Sequence, residues 1–159
     1  MKKVLFISIL ILSVFASHSQ TFLTLGANAS SINKEDALRG GYFIQVEAYN
    51  DSVKSSWVVS FFSHDYSYTA TFMQFGIRKY TNNKRYVRPF YDVYLTPASI
   101  RGNYEIGIGA KIGIQLGRQK KFSFFTDLGY QVLTNNCSGI MLDFGFKFPF
   151  NYRSKIFNL

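Results

Sequence analysis

Beyond residue 20 the chain holds one cysteine, one histidine, no helical periodicity of useful length and no linker or low-complexity tract. Each absence excludes something. A lone Cys137 cannot form an intramolecular disulfide, so a small exported domain must draw its stability from a core or from a membrane. His64 and Cys137 alone cannot build a zinc cluster. No glycine-rich loop precedes a helix to cradle phosphate, and no acidic calcium loop is present. The expected cofactor is therefore none and the expected metal none. What remains is a chain rich in tyrosine and phenylalanine, with aromatics at 18% and a formal charge of +9.

The amino terminus reads as an address rather than as structure. Met1-Lys2-Lys3 precedes the apolar run Val4 to Phe15, and small and polar residues follow through Gln20. This is the layout of a secretory signal peptide, too short to span a bilayer. Ser17 and Ser19 fit the small-x-small requirement of a signal peptidase, so residues 1–19 are expected to be removed. No cysteine follows the run, which speaks against a lipid anchor. Without Lys2 and Lys3 the charge of +9 becomes +7, over about 140 residues, enough for one domain.

The rest alternates. From Ile140 to Phe150 every second residue is a large hydrophobe, while Met141, Asp143, Gly145, Lys147 and Pro149 occupy the other side. A period of two is a β-strand whose side chains point alternately to opposite faces. Seven further segments show the same habit: Thr21 to Ala29, Gly41 to Asn50, Lys54 to Ser63, Ala70 to Tyr80, Tyr86 to Leu95, Tyr104 to Leu116 and Phe122 to Leu133. Asn50-Asp51-Ser52, Asn82-Asn83-Lys84 and Gly117 to Lys121 read as tight turns. Thr96 to Gly102 reads as a loop, and the connections after odd strands are expected to be the longer ones. Pro149 lacks a ladder donor, so regular pairing is expected to fail near Phe148, leaving 151–159 as a short tail.

The polar faces choose the architecture. Glu47, Asp92, Glu105, Asp127 and Asp143 stand against Arg78, Arg88, Lys111 and Lys147. Near balance is what a closed interior requires, because unpaired buried charge is costly. Gly107, Gly109 and Gly113 leave space for long neighbours such as Arg88, Phe90 and Tyr94. The reading is all-β: an eight-stranded antiparallel up-and-down transmembrane β-barrel over 20–150. Its interior is polar, and Ile140, Leu142, Phe144, Phe146 and Phe148 face lipid.

Residues Met73-Gln-Phe-Gly-Ile-Arg-Lys-Tyr80, the turn Asn82-Asn-Lys84 and Arg88-Pro-Phe90 carry a resemblance. The chain resembles the small outer-membrane β-barrels of the OmpA/OmpX type in Gram-negative bacteria, and among them the PorT-like barrel domain. Two features depart from that pattern: Asp92-Val-Tyr-Leu95 replaces a glycine-rich run, and the chain continues beyond Phe150. Terminal aromatic residues serve such families as an assembly signal, with Phe150 and Leu159 both available. The resemblance implies a cell outer-membrane location and, for secretion-associated members, docking to a periplasmic protein.

Eight strands enclose an interior just wide enough for side chains, so a structural or partner-docking role is expected rather than wide-pore transport. The alternatives are a narrow path past Glu105 and Lys111, a lipid-modifying activity at the external rim, or a soluble lipocalin-like binding protein. A rim activity would center on His64, beside Ser63, Asp65 and Ser67. Such neighbours make a site only if they meet in space, so no enzyme is expected. Lys54, Lys79, Lys84, Arg85, Arg88, Arg118, Lys120, Lys121, Arg153 and Lys155 gather toward the predicted periplasmic rim or tail, where anionic lipid or a periplasmic protein is the expected partner. Nucleic acid is not, and the chain is read as monomeric.

Overall fold

A computed structural model describes residues 20–31, 39–65, 69–81, 86–100, 102–117, 121–134 and 138–150. The leader 1–19, the tail 151–159 and Cys137 lie outside these. Eight strands follow one another: β1 (Gln20–Ser31), β2 (Arg39–Asn50), β3 (Ser55–Asp65), β4 (Thr69–Tyr80), β5 (Val87–Ile100), β6 (Asn103–Leu116), β7 (Ser123–Leu133) and β8 (Ser138–Phe150). Each pairs antiparallel with the next, and β8 returns to β1, closing the sheet into a barrel. Closure removes the free edges that a sheet of this length would otherwise expose. An even strand number brings Gln20 and Phe150 to the same end, called here the terminal end.

The alternation sorts side chains without exception along β5. Arg88, Phe90, Asp92, Tyr94, Thr96, Ala98 and Ile100 are buried, and Val87, Pro89, Tyr91, Val93, Leu95 and Pro97 are exposed. The outer wall is apolar, with Ile112 at 67% and Phe146 at 50% exposure. So large an uncovered apolar surface is foreign to a monomer in water.

Strand β5 corrects the expected loop. It runs to Ile100, and its turn into β6 is 101–102 only. Within that expected loop Pro97 sits outward opposite Ile106, and the ladder toward β4 skips Met73 and Gln74 at this point. A proline brings no N–H, so the strand continues while one side of its ladder lapses. With β5 this long, the connections after odd strands (32–38, 66–68, 101–102, 134–137) are not systematically longer than 51–54, 81–86 and 117–122. The expected loop asymmetry is absent.

Strand β8 ends differently on its two sides. Toward β7 the register stops at Lys147 opposite Ser123, but toward β1 it continues through Pro149 opposite Phe22 to Phe150 opposite Thr21. Pairing therefore outlasts Phe148 on the closing seam, whereas toward β7 it ends where that strand begins. Midway along that seam Gly26 faces Gly145. The rings of Phe43 and Phe125 rest over these two glycines and meet edge to face at 5.9 Å. A Cβ on Gly145 would stand 2.6 Å from Phe125 Cε1, so the seam admits these rings only because both positions lack a side chain.

Candidate functional site: the charged barrel interior

The nine charged residues of the inward faces, Glu47, Arg78, Arg88, Asp92, Glu105, Lys111, Asp127, Asp143 and Lys147, are all buried. Period-two geometry explains their common direction; their pairing depends on register. Arg78 on β4 stands opposite Asp92 on β5. Its Nε and Nη2 donate to the two carboxylate oxygens at 2.8 and 2.7 Å, a bidentate fork. Nη1 reaches past β3 to Glu47 Oε2 on β2 at 3.3 Å, and the guanidinium lies 4.0 Å over the Phe90 ring.

Glu47 is the most heavily shared acceptor. Besides Arg78 it receives Ser56 Oγ at 2.6 Å, the Tyr80 hydroxyl at 2.8 Å and Lys147 Nζ at 2.8 Å. Lys147 also donates to the Tyr80 oxygen at 3.0 Å and sits 4.1 Å above the Phe22 ring. Toward the other end, Lys111 Nζ donates to Asp143 Oδ2 at 2.5 Å, and Asn28 donates to the second oxygen. Asp127 stands between the two groups. It lies opposite Asp143 on the ladder, 3.8 Å from Arg78 Nη2 and 4.0 Å from Lys111 Nζ. Neither of its oxygens accepts a hydrogen bond among the described residues. Glu105, nearest the far end, accepts from Thr134.

Aromatic rings fill the remaining width. Tyr94 covers Gly109 and Phe90 covers Gly113, as the glycine spacing suggests, whereas Gly107 is met by Leu133. Arg88 fills none of these spaces. It is wholly buried below Tyr80, its guanidinium 5.3 Å from that ring, so it belongs to the interior and not to the exposed rim. Among the described rim residues, Lys54, Lys79 and Lys121 are exposed at the terminal end; Lys84, Arg85, Arg118, Lys120, Arg153 and Lys155 lie outside the described residues.

The His64 neighbourhood does not assemble as its sequence order suggested. His64 points inward and is buried, Ser63 points outward, and Ser67 lies outside the described residues. The hydroxyl that His64 does meet is Ser30 on β1, at 3.3 Å from Nδ1, and Phe72 packs edge-on against the ring. Sequence reasoning missed Ser30, Ser56 and Tyr80 as members of the interior. Their strand parity alone would have placed them there; only the closed lumen shows which ions they touch. Among the described residues no group of three metal-ligating side chains is found.

This inside-out division, ions within and hydrocarbon without, is the reverse of a lipocalin-type barrel, whose ligand sits in an apolar interior. Known structures share the architecture. Neisserial surface protein A superposes with a TM-score of 0.66 at 12% identity, over 84% of this chain and 98% of that one. The fold is that of the small outer-membrane barrels. The N-terminal barrel domain of Pseudomonas aeruginosa OprF gives 0.61 at 12% identity, over 82% and 99%. The attachment invasion locus protein Ail of Yersinia pestis gives 0.57 at 12%, over 84% and 99%. No family model matches the sequence, and no curated protein does. At such identity the likeness speaks for the eight-stranded barrel and leaves the PorT-like resemblance without added support.

Proposed function

We propose that the protein is a small outer-membrane barrel with a closed, ion-paired interior, acting as a structural or docking element rather than as a wide pore. The observation that carries this reading is the Arg78, Asp92, Glu47 and Lys147 cluster, which spans the lumen and leaves its rings packed between the ions. In this reading Ile140, Leu142, Phe144, Phe146 and Phe148 meet lipid, residues 1–19 direct export, and 151–159 form a tail on the periplasmic side. The terminal end, with Lys54, Lys79 and Lys121 exposed, then faces the periplasm and its anionic headgroups.

Membrane fractionation tests location: recovery only with detergent and heat-modifiable migration are expected, and a folded monomer soluble in buffer would sink the reading. Planar-bilayer recording tests closure. Reproducible channel steps from the purified protein would overturn the closed interior. Docking is tested by crosslinking in native membranes, where one discrete adduct is expected of a protein partner and none of headgroups alone.

A further inference from the structure

We infer that Arg88 forms an oxyanion site at the terminal end of the barrel, suited to inorganic phosphate or a phosphomonoester. Arg88 is 0% exposed, yet Nε, Nη1 and Nη2 all lack a hydrogen-bond acceptor among the described residues. A buried guanidinium without an acceptor is expensive. The carboxylates that could serve it are committed elsewhere. Glu47 already receives Arg78, Lys147, Tyr80 and Ser56, and Asp92 spends both oxygens on Arg78.

The local charge favours an anion over a water molecule. Arg78, Lys147 and Lys111 each have a carboxylate within 4.0 Å, whereas Arg88 makes no ion pair among the described residues. Water would bridge polar atoms there but leave the Arg88 guanidinium without a counter-ion in contact.

A second orphan narrows the class. Gln115 stands opposite Arg88 on the β5–β6 ladder, is also 0% exposed, and gives its amide N–H to Ser123 at 2.5 Å while its Oε1 has no donor among the described residues. Side chains opposed on a ladder are close neighbours, yet these two do not bond to each other. A group that accepts from a guanidinium and donates one O–H to an amide oxygen satisfies both. A protonated phosphate does this; a carboxylate or a fully ionised sulfate supplies acceptors only. Forked recognition of phosphate is what guanidinium geometry favours. The exposed Lys54, Lys79 and Lys121 at the same end would raise the local anion concentration at the entrance. Only the direction of access, from the periplasm, rests on the membrane reading; the site itself rests on the barrel interior.

The experiment is titration calorimetry on the full mature chain, folded in neutral detergent, with inorganic phosphate and separately with short-chain phosphatidic acid. Saturable binding of phosphate is expected, at least about tenfold weaker in Arg88→Gln, with partial retention in Arg88→Lys. Lys79→Gln should leave it within about twofold, as for a screened surface charge. Binding of phosphatidic acid alone assigns the phosphate to a headgroup and sustains the site. No binding of either probe, or equal loss in Lys79→Gln and Arg88→Gln, overturns it. Should Arg88→Gln fail to show heat-modifiable migration, protection of wild-type Arg88 from phenylglyoxal by phosphate replaces it: protection is expected, and unprotected modification overturns the proposal. Aqueous solubility of the folded chain would defeat the membrane reading without touching these outcomes.

Discussion

The two halves of the barrel interior solve the burial of charge in different ways. At the terminal half Arg78 is held by two oxygens of Asp92 and one of Glu47, and Glu47 itself collects four donors. At the far half one amine, Lys111, serves Asp143 closely and Asp127 at 4.0 Å, and Asp127 accepts no hydrogen bond among the described residues. A forked guanidinium neutralises and orients several carboxylates at once, whereas an ammonium acts as a single point charge. The terminal half is therefore a tightly connected node, and the far half has one close ion pair beside a loosely satisfied acid.

The largest test of that contrast is Arg78→Ala. It strands Asp92 and removes a donor from Glu47, so unfolding in detergent by urea should show a loss of about 3 to 5 kcal/mol, or failure to fold. Lys111→Ala should cost less, about 1.5 to 3 kcal/mol, because one charged hydrogen bond dominates its contribution. Equal losses for the two would erase the distinction between node and single contact. Asp127→Asn is expected to change stability by about 1 kcal/mol or less, with gain favoured, since it removes a poorly bonded carboxylate facing Asp143; a large loss would show that Asp127 binds the halves together. Smallest is Lys79→Gln at the exposed rim, within about 0.5 kcal/mol. A larger effect there would make the rim part of the fold rather than of an interaction surface.

Much of this is legible in the sequence. The alternation around Asp143 and Lys147, and again around Arg78, Asp92 and Lys111, placed these residues on shared faces because side-chain direction in a strand is set by the backbone of that strand alone. The extent of β5 was not legible. Pro97 reads locally as a breaker, and its tolerance depends on β6 pairing with the outward proline while β4 skips it. The same holds at Pro149, where β1 continues a ladder that β7 has already left. His64 shows the opposite error. Its sequence neighbours suggested a cluster, but parity turns Ser63 outward and register supplies Ser30 from a strand far earlier in the chain.

Sequence by itself determined the eight alternating segments and the chemistry of their two faces, since both follow from a two-residue repeat and the composition of each strand. Tertiary structure alone decided which ion meets which. Whether Arg78 finds Asp92, whether Lys111 finds Asp143, and whether Arg88 meets a ring rather than a described carboxylate depend on register and closure, which act between strands distant in sequence. Parity assigns a side chain to the lumen, but only the stagger of the closed barrel sets its height there, and a buried charge is paired or stranded by that height.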